Sequence, residues 1–159
     1  MDKVTKEKLI KSAVKAIHYA YHPVSKKGVG AALLTQKGNI YKGANVQSVI
    51  SGLGACAEIC SVYNAVAHGE YCFEAIAVAF PSEKGARPCG ACQQMLFEFS
   101  EVGNKDIKII CVNEKGKVVE ETSIKKLMPK GYGPKESGRD VSGYRQWYCE
   151  YLIGWYKKK

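Results

Sequence analysis

The sequence predicts an α/β fold, a three-layer α-β-α sandwich with a mixed sheet of about five strands. Helical and strand periodicities alternate along the chain, which favours one sheet covered by helices on both faces. Two of the strands are joined by a tight turn, so at least one pair is antiparallel. The 159 residues, 46% of them hydrophobic, suit one full-sized core, and we expect 1–159 to form a single domain.

The elements follow from these periodicities in chain order. Residues 3–20 place apolar side chains on one helical face and lysines on the other, which predicts an amphipathic helix. Strands are expected over 29–35 and 39–46, with Gly38 in the turn between them. The remaining predicted elements are a helix over 56–68, a strand over 73–80, a helix over 90–100, a strand over 107–112, a short strand near 117–120 and a short helix over 123–128.

The end of the chain predicts an additional aromatic-rich helix over 140–157. We expect its apolar stripe to pack on the domain's own core or on a neighbouring subunit. The stripe follows the spacing of one helical face and consists of Tyr144, Trp147, Tyr148, Tyr151, Leu152 and Trp155.

Composition excludes several classes of function. The net charge is +9, but the lysines are scattered and are not interleaved with aromatic residues, so a nucleic-acid partner is not expected. Apolar runs such as 75–80 fall far short of the ~20 residues of a membrane span. The N-terminal stretch has no secretion signal, so we expect a cytoplasmic protein whose seven cysteines stay reduced.

Three cysteines at predicted helix starts indicate a metal site. Cys89 and Cys92 form a Cys-x-x-Cys pair, which by itself suits either redox or metal chemistry. Cys56 supplies a third thiolate, and three thiolates around Zn²⁺ leave a fourth position open for water, as in catalytic zinc sites. Cys60, one helical turn after Cys56, leaves open a closed four-cysteine structural site. Glu58 favours the catalytic alternative, because a carboxylate there can reach the water without being a ligand.

The motifs resemble those of zinc-dependent nucleobase deaminases. The segments 56–58, Cys-Ala-Glu, and 88–92, Pro-Cys-Gly-Ala-Cys, match the deaminase signature at every defined position. Over roughly 5–134 the chain is similar to the small tetrameric cytidine deaminases, with "VGAALLT", "GANVQS" and "LMPKGYGP" at the corresponding places. Blasticidin S deaminases are more distant relatives of the same plan.

The resemblance implies a mechanism and a set of site residues. It implies Zn²⁺ held by Cys56, Cys89 and Cys92, Glu58 as the proton shuttle, and a nucleoside or nucleoside-like substrate that is converted to a uridine-type product and ammonia in pyrimidine salvage. It further implies a homotetramer. The residues expected to contact the substrate are Asn45, Gln47 and Ala57.

Four positions depart from the family's usual pattern. Gln47 stands where a glutamate is usual, and Lys27 where a phenylalanine packs on the base. Ile59 and Gln93 replace two arginines that donate to the thiolates in related enzymes. These changes suggest a retained catalytic centre with a diverged pocket, whose best substrate need not be plain cytidine. The alternatives are a blasticidin S-type deaminase and, from a different class, a noncatalytic zinc-bound scaffold, which an intact Glu58 argues against.

Overall fold

A computed structural model describes residues 1–145. Each predicted helix and strand up to residue 128 is present, with ends that differ by a few residues. The elements are α1 (Lys3–Ala16), a 3₁₀ turn (Ile17–Tyr19), β1 (Gly30–Thr35), β2 (Ile40–Ala44), α2 (Ala57–Ala67), β3 (Phe73–Phe80), α3 (Gly90–Val102), β4 (Lys108–Asn113), β5 (Val118–Ser123) and α4 (Ile124–Leu127).

The five strands form one mixed sheet in the order β2-β1-β3-β4-β5. Strands β3 and β4 run parallel and are connected through α3, whereas all other neighbouring pairs are antiparallel. The predicted α/β class and five-stranded mixed sheet are therefore confirmed. Because β1 lies between β2 and β3, the segments that follow β2 and β3 are only two strands apart in space.

The helices cover both faces of the sheet. Helix α1 packs on one face, where its Leu9 and Ala13 join a core cluster with alternate residues of β1, β3 and β4. Helices α2 and α3 pack on the other face, where Val62 and Leu96 are buried against the remaining residues of the same strands. Since β3 is apolar on both faces, both clusters share it, and the predicted three layers are present.

Two strand glycines let helices approach the sheet closely. A Cβ at Gly30 would lie 2.2 Å from the carbonyl oxygen of Ala13 in α1. A Cβ at Gly43 would lie 2.2 Å from the carbonyl oxygen of Ala57 in α2. Glycine therefore sets the height of one helix on each face, and Gly43 does so directly beneath the first turn of α2.

The predicted first helix is shorter than its apolar pattern suggested. Its α-helical part ends at Ala16, and the pattern continues only through the 3₁₀ turn before Ala20 becomes extended. Within the described residues, no helix combines the length and apolar character that a membrane crossing requires. The predicted terminal helix over 140–157 lies largely outside those residues and stays a prediction.

Candidate metal centre and substrate pocket

Two helices begin at cysteines and direct their N-termini at one place. Cys56 is the N-cap residue of α2 and Cys89 is the N-cap residue of α3, both with extended backbone. Cys92 lies in the first turn of α3. Unpaired N–H groups and the positive end of each helix dipole therefore face the sulfur atoms, which favours the thiolate form.

The three sulfur atoms lie at the spacing of a metal site. The Sγ atoms of Cys56 and Cys89 are 3.9 Å apart, and those of Cys89 and Cys92 are 3.5 Å apart. Zn–S bonds of about 2.3 Å in a tetrahedral site put two sulfurs about 3.8 Å from each other. The group therefore fits Zn²⁺. It is the one metal-capable group found among residues 1–145, and Cys60 is not part of it.

The thiols differ in how readily they ionise. Burial raises the pKa of Cys56 to about 11 and also raises that of Cys92. Burial acts in the same direction on Cys89, but hydrogen bonds from the backbone N–H of Cys92, from the neighbouring thiols and from the backbone of Ala91 outweigh it and lower its pKa. A bound cation must therefore offset the charge for all three to be thiolates.

Glu58 lies beside the thiols in the first turn of α2. Its side chain is only 5% exposed, and burial is the main cause that raises the pKa of its carboxyl. A carboxyl with a raised pKa exchanges protons more readily near neutral pH. Glu58 lines the same cavity as Cys56 and Cys89.

A cavity of about 530 Å³ opens in front of these residues. This volume falls in the range of small-molecule pockets. The cavity brings together the three residues predicted to bind substrate, since Asn45, Gln47 and Ala57 all line it. Cys56, Glu58 and Cys89 line it as well, so a molecule in the cavity reaches both the thiols and the carboxylate.

Asn45 and Gln47, two of the polar residues on the cavity wall, are hydrogen-bonded to the segment before β1. The Oδ1 atom of Asn45 accepts a hydrogen bond from the N–H of Val29 at 2.7 Å, which leaves its Nδ2 as a donor. The Oε1 atom of Gln47 accepts from the N–H of Ser25 at 2.9 Å, and its Nε2 donates to Oγ of Ser25 at 2.8 Å. Gln47 is thus fixed in orientation and keeps one donor and one acceptor position for a ligand.

Sequence reasoning missed several residues of the wall. Phe80 lines the cavity, whereas Lys27 is not among the lining residues. Phe80, the last residue of β3, is the one aromatic residue among the described residues that line the cavity. Arg87 also lines the cavity, although no motif marked it. Gln93, which replaces one of the family's arginines, donates from Nε2 to the carbonyl oxygen of Pro88 at 2.7 Å.

Comparison with known proteins agrees with this site. The family described as "Cytidine and deoxycytidylate deaminase zinc-binding region" matches residues 3–109. A cytidine deaminase of Sporosarcina psychrophila is 39% identical over 130 residues, covering 82% of this chain and 93% of the relative. A cytidine deaminase of Halalkalibacterium halodurans is 36% identical over 124 residues, covering 78% of this chain and 91% of the relative.

A solved structure shows the same fold. The crystal structure of cytidine deaminase from Burkholderia pseudomallei superposes with a TM-score of 0.73 at 35% identity, covering 83% of this chain and 100% of that one. Fold and site together define a zinc-dependent deaminase. More particularly, the chain belongs to the cytidine deaminase family. The blasticidin S-type and scaffold alternatives are not favoured by these matches.

Proposed function

We propose that this protein hydrolyses cytidine and deoxycytidine to uridine and deoxyuridine with release of ammonia. The observation that carries the proposal is that a group of three thiols and a buried carboxylate meet at one nucleoside-sized cavity, whose wall includes Cys56, Cys89 and Glu58. The cytidine deaminases to which the chain is similar over most of its length support this choice of substrate.

Cys56, Cys89 and Cys92 are proposed to hold Zn²⁺ as thiolates. When bound, the ion lowers the pKa of a coordinated water so that a strong nucleophile is available at neutral pH. The N-termini of α2 and α3 offset part of the negative charge of the three sulfurs. This matters here because Ile59 and Gln93 contribute no cationic donor.

Glu58 is proposed to move the protons of the reaction. It would accept one proton from the attacking water and deliver it to the ring nitrogen of the pyrimidine while the hydroxide bonds to the amino-bearing carbon. It would then take the proton of the new hydroxyl group and pass it to the amine, so that the carbon–nitrogen bond breaks and ammonia leaves. Burial disfavours the charged form of this carboxyl and raises its pKa, which favours its use as both an acceptor and a donor of protons.

Asn45, Gln47 and Ala57 are proposed to orient the nucleoside. Asn45 offers its free Nδ2 donor, and Gln47 offers one donor and one acceptor, which suits the hydroxyl groups of a sugar. Ala57 is fully buried at the start of α2, where backbone N–H groups lack helical partners and can hold a carbonyl of the base. Phe80 supplies an apolar surface for the ring.

The assembly and setting proposed are a cytoplasmic homotetramer that acts in pyrimidine salvage. The loop beside the cavity exposes Val49, Ile50 and Leu53 by 85%, 62% and 67%, an apolar surface that a second subunit would cover. Six cysteines of the described part are free thiols, which suits a reducing compartment. Light scattering on the purified protein measures the assembly directly.

The decisive experiment measures ammonia release together with zinc content. Cytidine, deoxycytidine, cytosine and blasticidin S are supplied to the wild-type protein and to Glu58→Gln. We expect turnover of the two nucleosides, and a loss of about 100- to 10,000-fold in the variant with its zinc retained. A zinc-loaded wild-type protein that deaminates neither nucleoside would overturn the proposal.

A further inference from the structure

A two-bonded ion pair anchors the segment that leads into α3. Nε of Arg87 donates to Oε2 of Glu120 at 2.7 Å, and Nη2 donates to Oε1 at 2.8 Å. Two parallel bonds fix the plane and direction of a guanidinium group as well as its distance. The pair joins strand β5 to the segment between β3 and α3, across 33 positions of sequence.

The anchored segment has little other support. The residues between Phe80 and Gly90 contain no helix or strand. The first half of the segment contains a turn in which the N–H of Gly85 donates to the carbonyl oxygen of Ser82, and Gly85 lies against the side chain of Val119 on β5. The segment therefore packs on strand β5, and the Arg87–Glu120 pair adds two hydrogen bonds to that contact.

The segment ends at a cysteine of the candidate metal centre. Arg87 stands two residues before Cys89, with Pro88 between them. On the other side, Gln93 holds the carbonyl oxygen of Pro88 from within α3. Cys89 itself is the N-cap residue of α3, and its carbonyl oxygen accepts a hydrogen bond from the N–H of Gln93 at 2.9 Å. The Arg87 contact to β5 and the Gln93 side-chain contact to Pro88 add support on the side from which the chain enters the helix.

The two sulfur distances depend on the segment in different ways. Cys89 and Cys92 belong to one helical turn, so local helix geometry keeps them together. Cys56 belongs to α2, so its 3.9 Å distance to Cys89 depends on how the start of α3, together with the segment that precedes it, is held relative to α2. If the segment were loosened, the Cys89–Cys92 distance would therefore stay the same and the Cys56–Cys89 distance would increase.

We propose that Arg87 and Glu120 are a positioning pair that holds Cys89 at metal-binding distance from Cys56. This inference rests on the proposed zinc centre. The pair carries no net charge, so its effect is on geometry. Partners that orient metal ligands from outside the coordination shell commonly change metal affinity by about 10- to 100-fold when they are removed.

The chain supplies a matched control on the same strand. Glu121 is the next residue of β5 and forms an ion pair with Lys6 of α1, on the opposite side of the sheet from the cysteines. Glu120→Gln and Glu121→Gln therefore make the same chemical change at neighbouring positions. The measurement is zinc affinity by competition with a coloured chelator, beside the thermal unfolding midpoint of each variant.

We expect Glu120→Gln to weaken zinc binding about 10-fold and Glu121→Gln to leave it close to wild type. Both unfolding midpoints should change little, because both pairs are partly exposed to solvent. Arg87→Lys, which keeps the charge and loses the paired geometry, should also weaken binding. The double variant Arg87→Ala/Glu120→Ala should lose no more zinc affinity than Arg87→Ala or Glu120→Ala alone, because the same interaction is removed in each case.

Two results would overturn the inference while leaving the proposed function intact. One is a zinc affinity of Glu120→Gln equal to that of Glu121→Gln. The other is an Arg87→Ala variant with a raised KM for cytidine and normal zinc affinity, which would make Arg87 a substrate contact. A wild-type protein that binds no zinc would overturn both this inference and the proposed function.

Discussion

Replacing Gly43 by alanine tests whether the height of α2 over the sheet sets the geometry of the site. The added Cβ would lie 2.2 Å from the carbonyl oxygen of Ala57 and 2.3 Å from the backbone nitrogen of Ser61. Carbon–oxygen contacts normally stay beyond about 3.3 Å. The first turn of α2 must therefore retreat by the difference between 3.3 and 2.2 Å, about 1 Å.

This retreat has two expected consequences. Overpacking of this kind costs about 1–3 kcal/mol of unfolding free energy, which a urea titration measures. The displaced turn carries Glu58 and follows Cys56, and a misplacement of about 1 Å lowers turnover by about 100-fold. We therefore expect kcat for cytidine to fall by that factor, with weaker zinc binding, at a temperature where the variant is folded.

Gly30→Ala is the matched control. Its Cβ would lie 2.2 Å from the carbonyl oxygen of Ala13 and 2.7 Å from the backbone nitrogen of Ile17, so α1 must shift on the other face of the sheet. A similar loss of stability is expected, with kcat close to wild type. Equal losses of kcat in the two variants, or a Gly43→Ala enzyme with normal kcat and zinc affinity, would refute the reasoning.

Three further outcomes follow from the contacts described above. Ser25→Ala removes one of the two hydrogen bonds that orient Gln47, which is worth about 0.5–1.5 kcal/mol. KM for cytidine should therefore rise about 2- to 12-fold with little change in kcat. A fall in kcat alone would contradict this expectation. Burial by itself would raise the pKa of Glu70, but hydrogen bonds from side chains of the β1–β2 hairpin outweigh it and lower this pKa. The ionised carboxylate therefore stabilises the folded protein above the ordinary carboxyl pKa of about 4.3, and this stabilisation is lost as pH falls. Glu70→Gln should therefore lower the free energy of unfolding, measured by urea titration, by about 1–3 kcal/mol at pH 7 and by less at pH 4. Equal losses at the two pH values would contradict this role of the carboxylate. Removal of zinc by a chelator should abolish ammonia release, and added zinc should restore it in the wild type but not in Cys92→Ser; full activity of the metal-free protein would contradict the role of the metal.

The sequence by itself determined the elements and the local half of the site. Periodicity placed the helices and strands because burial imposes a period of 3.6 on helices and of 2 on strands wherever a chain packs on one core. The Cys89–Cys92 pair was also readable, since three residues make almost one helical turn. The match of 56–58 and 88–92 to a deaminase signature connected these positions with Glu58 and with a mechanism.

Only the tertiary structure decided which distant segments meet. The strand order puts β1 between β2 and β3, and this brings Cys56 on α2 to within 3.9 Å of Cys89 on α3. The same folding sets Ser25 against Gln47, Phe80 into the cavity wall and Arg87 onto Glu120. None of these contacts leaves a periodic signal, because each joins side chains from different elements, and their separation in sequence carries no information about their separation in space.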